Sequence, residues 1–272
     1  MNPSSTPDST PLPTAPSASP LPLAGRRGLI LGVANEHSIA WGCAQVARAQ
    51  GASLVLSCLN EKARPFVQPL ADAVQAPLFD CNVETEGDLE RLVQAAVDHL
   101  GGLDFVIHSI AWAPLAELRG RVIDSSAAGF ARAMTVSCHS FAALARACEP
   151  HLSDDAALMT MSYLGADEAI PHYGLMGPVK AALESLVRYL AAELGPQGVR
   201  VHAISPGPMP TRAASGLQDF DALMATARAE SPLRRLVTLE EVGALAAFLA
   251  GPGGRGMSGQ TLFVDAGFHV VR

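Results

Sequence analysis

The sequence predicts an α/β fold: a single doubly wound parallel sheet of about seven strands with helices on both faces. Three observations predict it. Short apolar runs rich in Val, Ile and Leu recur along the chain, continuous rather than alternating, as in strands buried on both faces. Helical patterns separate them, which implies right-handed crossovers between parallel strands. No internal repeat or interior linker divides the alternation, so it reads as one domain.

Each element follows in order. A first strand is expected at Gly28–Val33 and its helix at Ser38–Gln50. Ser53–Cys58 and Lys62–Val74 form the next pair, then Ala76–Cys81 and Glu86–Leu100. Leu103–Ser109 is a fourth strand, followed by a long apolar stretch from Ser125 to Pro150. A fifth strand is expected at Ala157–Ser162 with a helix at Pro178–Leu194, and a sixth at Val199–Ser205 with a helix at Leu239–Leu249. Gln260–Val264 is the last strand.

This domain is expected over residues 25–272. Residues 1–24 are rich in Pro, Ser and Thr and contain no Lys or Arg, so they read as a disordered tail rather than a secretory signal or a mitochondrial presequence. No apolar run reaches the ~18 residues of a membrane span. A net charge of −7 argues against nucleic acid or an anionic membrane as partner, since both need clustered Lys and Arg. The five cysteines, Cys43, Cys58, Cys81, Cys138 and Cys148, are odd in number, form no CxxC pair and sit among apolar or small neighbours. They indicate a reducing cytoplasm, with no disulfide framework and no zinc site.

The first strand runs into Gly32-Val-Ala-Asn-Glu-His-Ser38-Ile-Ala-Trp-Gly42. Small residues mark the turn, Ser38 is placed to cap the helix, and that helix start offers N–H groups and a positive dipole end to a pyrophosphate. The pattern is not GxGxxG, and taken alone it also fits an ordinary capped helix. Leu59 and Glu61 at the end of strand two bring no positive charge to an adenosine 2′-phosphate, which favours NADH, while Lys62 and Arg64 keep the question open. In an open parallel sheet ligands lie beyond the carboxyl ends of the strands, so Ile110 and its neighbours after strand four belong to the same cleft.

Strand five ends at Met161-Ser162-Tyr163; Tyr173 follows ten residues after Tyr163, and Lys180 seven after that. A phenol beside an ammonium suits hydride chemistry. Lysine holds ribose hydroxyls and draws the phenol pKa down, and the phenol stabilises an oxyanion. A random Tyr/Lys pair is packing plus a solvated helix residue; the context argues otherwise.

Together these blocks resemble the NADH-dependent enoyl-acyl-carrier-protein reductases, a divergent branch of the short-chain dehydrogenases with a Rossmann-type sheet. The likeness runs through GVANEHSIAWG, HSIAWAP, MSYLGADEAIPHYGLMGPVKAALE, TRAASG and SGQTLFVDAGF. The resemblance implies a Tyr-x6-Lys pair with a second tyrosine upstream, here Tyr173, Lys180 and Tyr163. It implies dinucleotide contacts at Gly32, Ser38, Ile39, Leu59, Asn82, Val83, Ile110, Met209 and Thr211, and ribose contact at Lys180. Ala113, Tyr163 and Tyr173 would meet a trans-2-enoyl thioester on acyl carrier protein or CoA, in a homotetramer. Two rivals stand beside this reading: a short-chain dehydrogenase acting on a carbonyl, and a dinucleotide-binding regulator without catalysis.

The chain also departs from that family. Asn82 stands where the family has Asp, and Ala111-Trp112 where it has Gly-Phe, which narrows the pocket roof and puts diphenyl ether binding in doubt. In the substrate-covering stretch Gln218, Asp221 and Ala222 replace positive charges that would meet an acidic carrier; Arg212, Arg228, Arg234 and Arg235 lie close in sequence. His37, His108 and His172 read as packing or surface residues, and Asp80 and Asp265 as turn or cap residues.

Overall fold

The structure, a computed structural model, describes residues 21–211, 216 and 219–272. Seven parallel strands lie in the order β3-β2-β1-β4-β5-β6-β7: β1 Arg27–Leu31, β2 Ser53–Cys58, β3 Leu78–Asp80, β4 Leu103–His108, β5 Leu152–Met161, β6 Arg200–Pro206 and β7 Gln260–Val264. The order reverses between β1 and β4, and that switch point opens a crevice at the strands' carboxyl ends.

The nine helices named among the described residues are α1 Ile39–Ala49, α2 Arg64–Ala73, α3 Asp88–Leu100, α4 Leu115–Arg119, α5 Ala127–Met134, α6 Ser140–Cys148, α7 Met176–Leu194, α8 Phe220–Glu230 and α9 Leu239–Ala250. Alternating strand residues feed two separate cores. Ile30 packs with Trp41, Val67 and Val242 from α1, α2 and α9. Leu29 and Leu31 pack with Leu92, Phe141 and Val187 from α3, α6 and α7. Helices α1 and α9 cross closely because Gly42 and Gly243 face each other: a Cβ on Gly243 would sit 2.6 Å from the Gly42 carbonyl oxygen.

Four expectations need correction. Leu23, placed with the tail, is fully buried in the first core and its N–H donates to Gln50 O at 3.0 Å, so the packed chain starts before residue 25; residues 1–20 of the expected tail lie outside the described residues. Strand β5 starts at Leu152 rather than Ala157, because the polar Ser153-Asp154-Asp155 segment still belongs to the sheet, Leu152 pairing with Leu103 of β4. The long stretch before it is two α-helices joined by a π-turn at Thr135–His139. That wider turn presents Ser137, whose hydroxyl donates to Trp112 O and accepts from Trp112 N–H, each at 2.8 Å. Helices α4 and α8 were not expected; α4 buries none of its residues and α8 only Ala227, so neither carries a strong apolar stripe.

Candidate active site and dinucleotide cleft

Gly32 ends β1 with φ of +94°, and a Cβ there would lie 2.2 Å from the Ser109 carbonyl oxygen beyond β4. Only glycine keeps this approach, which opens the turn between the two switch-point strands. Ser38 precedes α1 in extended conformation, but its side chain does not cap the helix as anticipated. Its hydroxyl donates to Asn35 O at 2.6 Å and accepts from Ala34 N–H at 3.4 Å, tying the turn to itself. The N-terminal turn of α1, from Ile39, therefore lacks a capping side chain from Ser38, which suits an anionic group.

The expected adenosine end of the cleft lies at the tips of β2 and β3. Leu59 is exposed, and Asn82 and Val83 are half-buried. Asn82 Oδ1 accepts from Glu84 N–H at 3.1 Å, and an amide carbonyl keeps a second lone pair for an amino group. Asp80 is not the turn residue anticipated: its Oδ1 pairs with Arg64 Nη2 at 2.9 Å. Glu84 holds Arg132 in a two-pronged pair at 2.6 and 3.0 Å, and Arg132 stacks 4.2 Å over Trp112. Ile110 is half-buried at the β4 tip and Ala113 is buried just beyond it. Met209 is buried and Thr211 half-buried after β6.

The tyrosines meet where β5 ends. The Tyr163 and Tyr173 rings lie 4.7 Å apart, tilted by 55°. Tyr163 Oη is buried without a hydrogen-bond partner among the described residues. A buried hydroxyl left unpaired costs about 1–3 kcal/mol, which a ligand oxygen would recover. Gly165 makes the pairing possible, since a Cβ there would sit 2.4 Å from Tyr173 Cδ1 and 3.3 Å from Tyr163 Cδ1. On α7, buried Lys180 donates from Nζ to Met161 O at 2.7 Å, so the end of β5 fixes the ammonium as well as the Tyr163 backbone.

Charge states differ from the sequence expectation. Burial pulls the Lys180 ammonium down to about 8, opposed by Cys138 and Glu184. Burial pushes the Tyr173 phenol up, with Tyr163 and Glu184 adding to the rise, and pushes Tyr163 up to about 12. Among the described residues no cation offsets this rise, which favours the neutral phenol, a hydrogen-bond donor rather than a base.

Sequence reasoning missed Gly165 and Glu184. Glu184 lies one turn after Lys180 on the same face of α7, a spacing that could have revealed it. It is buried, accepts from the Ser162 hydroxyl, and is held above its ordinary pKa by burial. His108 is also fully buried, between Thr160 Oγ1 at 3.1 Å and Ser140 Oγ at 2.8 Å. Ser140 donates onward to Val136 O, which leaves its oxygen to accept from His108 Nε2–H. Burial, with Lys180 adding, lowers His108 to about 3, so it is a neutral packing residue.

Helix α8 and the residues before it flank the tyrosines. Leu223 packs into their cluster, His172 Nε2 stands 3.5 Å from Asp219 Oδ2, and Arg119 Nε donates to Gly216 O at 3.0 Å. A cleft of about 720 Å³ runs between Pro210–Thr211 and the start of α8, and Asp219 and Asp221 line it. Arg235 is engaged by Glu241 at 2.6 and 2.8 Å and Arg234 by Ala229 O, while Arg228 is exposed; Arg212 and Gln218 lie outside the described residues.

Comparison with known proteins agrees with this geometry. A family model described as enoyl-(acyl carrier protein) reductase matches residues 32–269. The chain is 42% identical over 248 residues to "Enoyl-[acyl-carrier-protein] reductase [NADH] 2" of Rhizobium meliloti, covering 91% of this chain and 92% of that one. It superposes with a TM-score of 0.89 on an Anaplasma phagocytophilum reductase solved with NAD, at 41% identity over 93% of this chain and 97% of the other. A Bacillus cereus enoyl-acyl carrier protein reductase solved with NADP+ and an indole naphthyridinone is 35% identical, with a TM-score of 0.90 over 92% of this chain and 99% of the other.

Proposed function

Because the chain belongs to the enoyl-(acyl carrier protein) reductase family, we propose that it reduces the C2–C3 double bond of a trans-2-enoyl thioester with NADH. The observation that carries the reading is the tyrosine pair: a neutral Tyr173 phenol in ring contact with Tyr163, whose own hydroxyl is buried without a partner. The dinucleotide fits the tight Gly32 turn, the α1 start and the half-buried Val83 and Ile110. When bound, it supplies the hydride that goes to the β-carbon.

The chain's own residues do the rest. Tyr173 donates to the thioester oxygen as negative charge gathers there, a term worth about 3 kcal/mol in comparable oxyanion sites, and the enolate so held takes up a proton at the α-carbon to complete the reduction. Tyr163 contributes a second hydroxyl to the same pocket. Lys180, anchored on Met161 O, presents its remaining N–H donors to ribose hydroxyls. Met209 and Thr211 flank the nicotinamide side, and buried Ala113 leaves room for the acyl chain.

The carrier is the open variable. Asp219 and Asp221 line the cleft beside α8, and Arg235 and Arg234 are already engaged within the chain. Exposed Arg228 and Arg234, the latter on a neutral carbonyl, stand against these carboxylates, so an acidic carrier protein would meet a rim of mixed sign. A small thioester such as enoyl-CoA, or a dedicated carrier, therefore belongs to the proposal, as does a cytoplasmic homotetramer. NADH oxidation by the purified protein with crotonyl-CoA, crotonyl-carrier protein and a 3-oxo thioester tests it. Turnover with enoyl substrates only is expected. Turnover with the 3-oxo thioester alone would make it a carbonyl reductase, and none with any substrate would leave a dinucleotide-binding regulator.

A further inference from the structure

The tip of β2 and the start of α2 hold two cations, Lys62 and Arg64, either of which suits a 2′-phosphate by charge. The structure separates them. Lys62 is exposed beside Glu61. Arg64 is turned back onto the sheet edge: Nη2 lies 2.9 Å from Asp80 Oδ1 and Nη1 donates to Leu78 O at 3.1 Å. Asp80 is fixed from the other side too, since the same Oδ1 accepts from Cys58 Sγ at 3.1 Å. Cys58 and Asp80 are register partners at the ends of β2 and β3, and Asn82 and Val83 follow directly. A carboxylate thus stands beside the strand end where the adenosine ribose lies in this sheet type, and it occupies the guanidinium that would otherwise be free. The scaffold itself does not forbid a phosphate, because the Bacillus cereus relative is solved with NADP+.

We propose that Asp80 is a specificity-determining residue: by holding Arg64 and adding a negative charge at the β2 tip, it makes the site select the dinucleotide without a 2′-phosphate. This rests on the dinucleotide-binding part of the proposed function and deepens it. A 2′-phosphate brings about two negative charges and strong acceptor oxygens, so it gains most from a free guanidinium and is repelled by a neighbouring carboxylate.

The test is binding of NADH, NADPH and the fragments 5′-AMP and 2′,5′-ADP by calorimetry, with no enoyl substrate present. In Asp80→Asn the ratio of NADPH to NADH affinity should rise about tenfold, the gain appearing with 2′,5′-ADP and not with 5′-AMP. Arg64→Ala in the otherwise native chain should not raise that ratio, because it frees no cation and leaves the Asp80 charge uncompensated. Adding Arg64→Ala to Asp80→Asn should abolish the gain. An unchanged ratio in Asp80→Asn overturns the proposal. So does a rise of that ratio in the single Arg64→Ala variant, which is half-exposed and reads out even if Asp80→Asn folds poorly. Failure of the native protein to bind any of the four ligands overturns this proposal and the dinucleotide reading together, whereas binding without enoyl turnover overturns only the reaction.

Discussion

Tyr163 and Tyr173 face each other at 4.7 Å between ring centres, and the Tyr163 hydroxyl is buried with no hydrogen-bond partner among the described residues. This predicts different costs for removing each hydroxyl. Tyr173→Phe should lower kcat by roughly 10²–10³-fold, as loss of one oxyanion donor does, with NADH affinity unchanged. Tyr163→Phe removes an orphaned buried hydroxyl, so it should leave the folded protein as stable or up to about 1 kcal/mol more stable, with a smaller loss of turnover. Paired steady-state kinetics and urea melts check both; a destabilised Tyr163→Phe would mean that the hydroxyl has a partner in the protein.

Gly165 is the support for that pairing. An alanine methyl would press on Tyr173 at 2.4 Å and on Tyr163 at 3.3 Å. Gly165→Ala should cost about 1–3 kcal/mol through overpacking and lower kcat by displacing Tyr173. Native kinetics and stability in this variant would show that the two rings yield without loss.

Much of this was legible in the sequence. Strands buried on both faces announce themselves as continuous apolar runs, which is why Ser53–Cys58 is legible with its observed ends. The tyrosines and Lys180 were legible through spacing. The partners that act across the fold were not: Asp80 on Arg64, Gly165 under the rings and Ser162 on Glu184 depend on register and turn geometry, which single-sequence periodicity does not carry. Helix α8 was hidden for another reason. It buries little besides Ala227 and so lacks the stripe that marks a packed helix.

A second, distant cluster predicts stability without activity. Asp155 meets Arg26 at 3.6 Å, Arg200 at 3.5 Å and Arg255 at 2.8 Å, while Arg26 and Arg200 also donate to the carbonyls of Ala250 and Leu249 that end α9. Removing the carboxylate leaves the buried Arg200 among like charges. Asp155→Ala should cost about 2–3 kcal/mol, below the full penalty of a buried pair because Asp155 is partly exposed. Arg255→Ala, at a site 65% exposed, should cost less than about 1 kcal/mol. Denaturant melts give both, and equal losses would show that the cluster does not centre on Asp155.

The two buried histidines set the acid limit. His108 is lowered from 6.5 to about 3 and His202 to about 4, chiefly by burial. Between those values and 6.5 the unfolded chain binds protons that the folded chain refuses, so stability rises with pH across the window and falls on acidification through it. Each histidine should contribute a slope approaching 1.4 kcal/mol per pH unit once the medium is well below 6.5. Lys180 has the same sign higher up: between about 8 and 10.5 the unfolded lysine holds a proton that the folded one releases, so its own contribution to stability rises with pH there too. Its function runs the opposite way. As Lys180 loses its proton above about 8, its charged hold on the ribose weakens, and NADH affinity should fall between about 8 and 9 while the fold becomes no weaker; above 9 the buried Cys43, Cys58, Cys81, Cys138 and Cys148 thiols, all raised by burial, ionise first in the unfolded chain and make stability fall with pH. Measuring NADH affinity and unfolding free energy on the same samples across the lower range separates the two. A parallel fall of both would point to loss of the fold, and a flat affinity would remove Lys180 from the cofactor's binding.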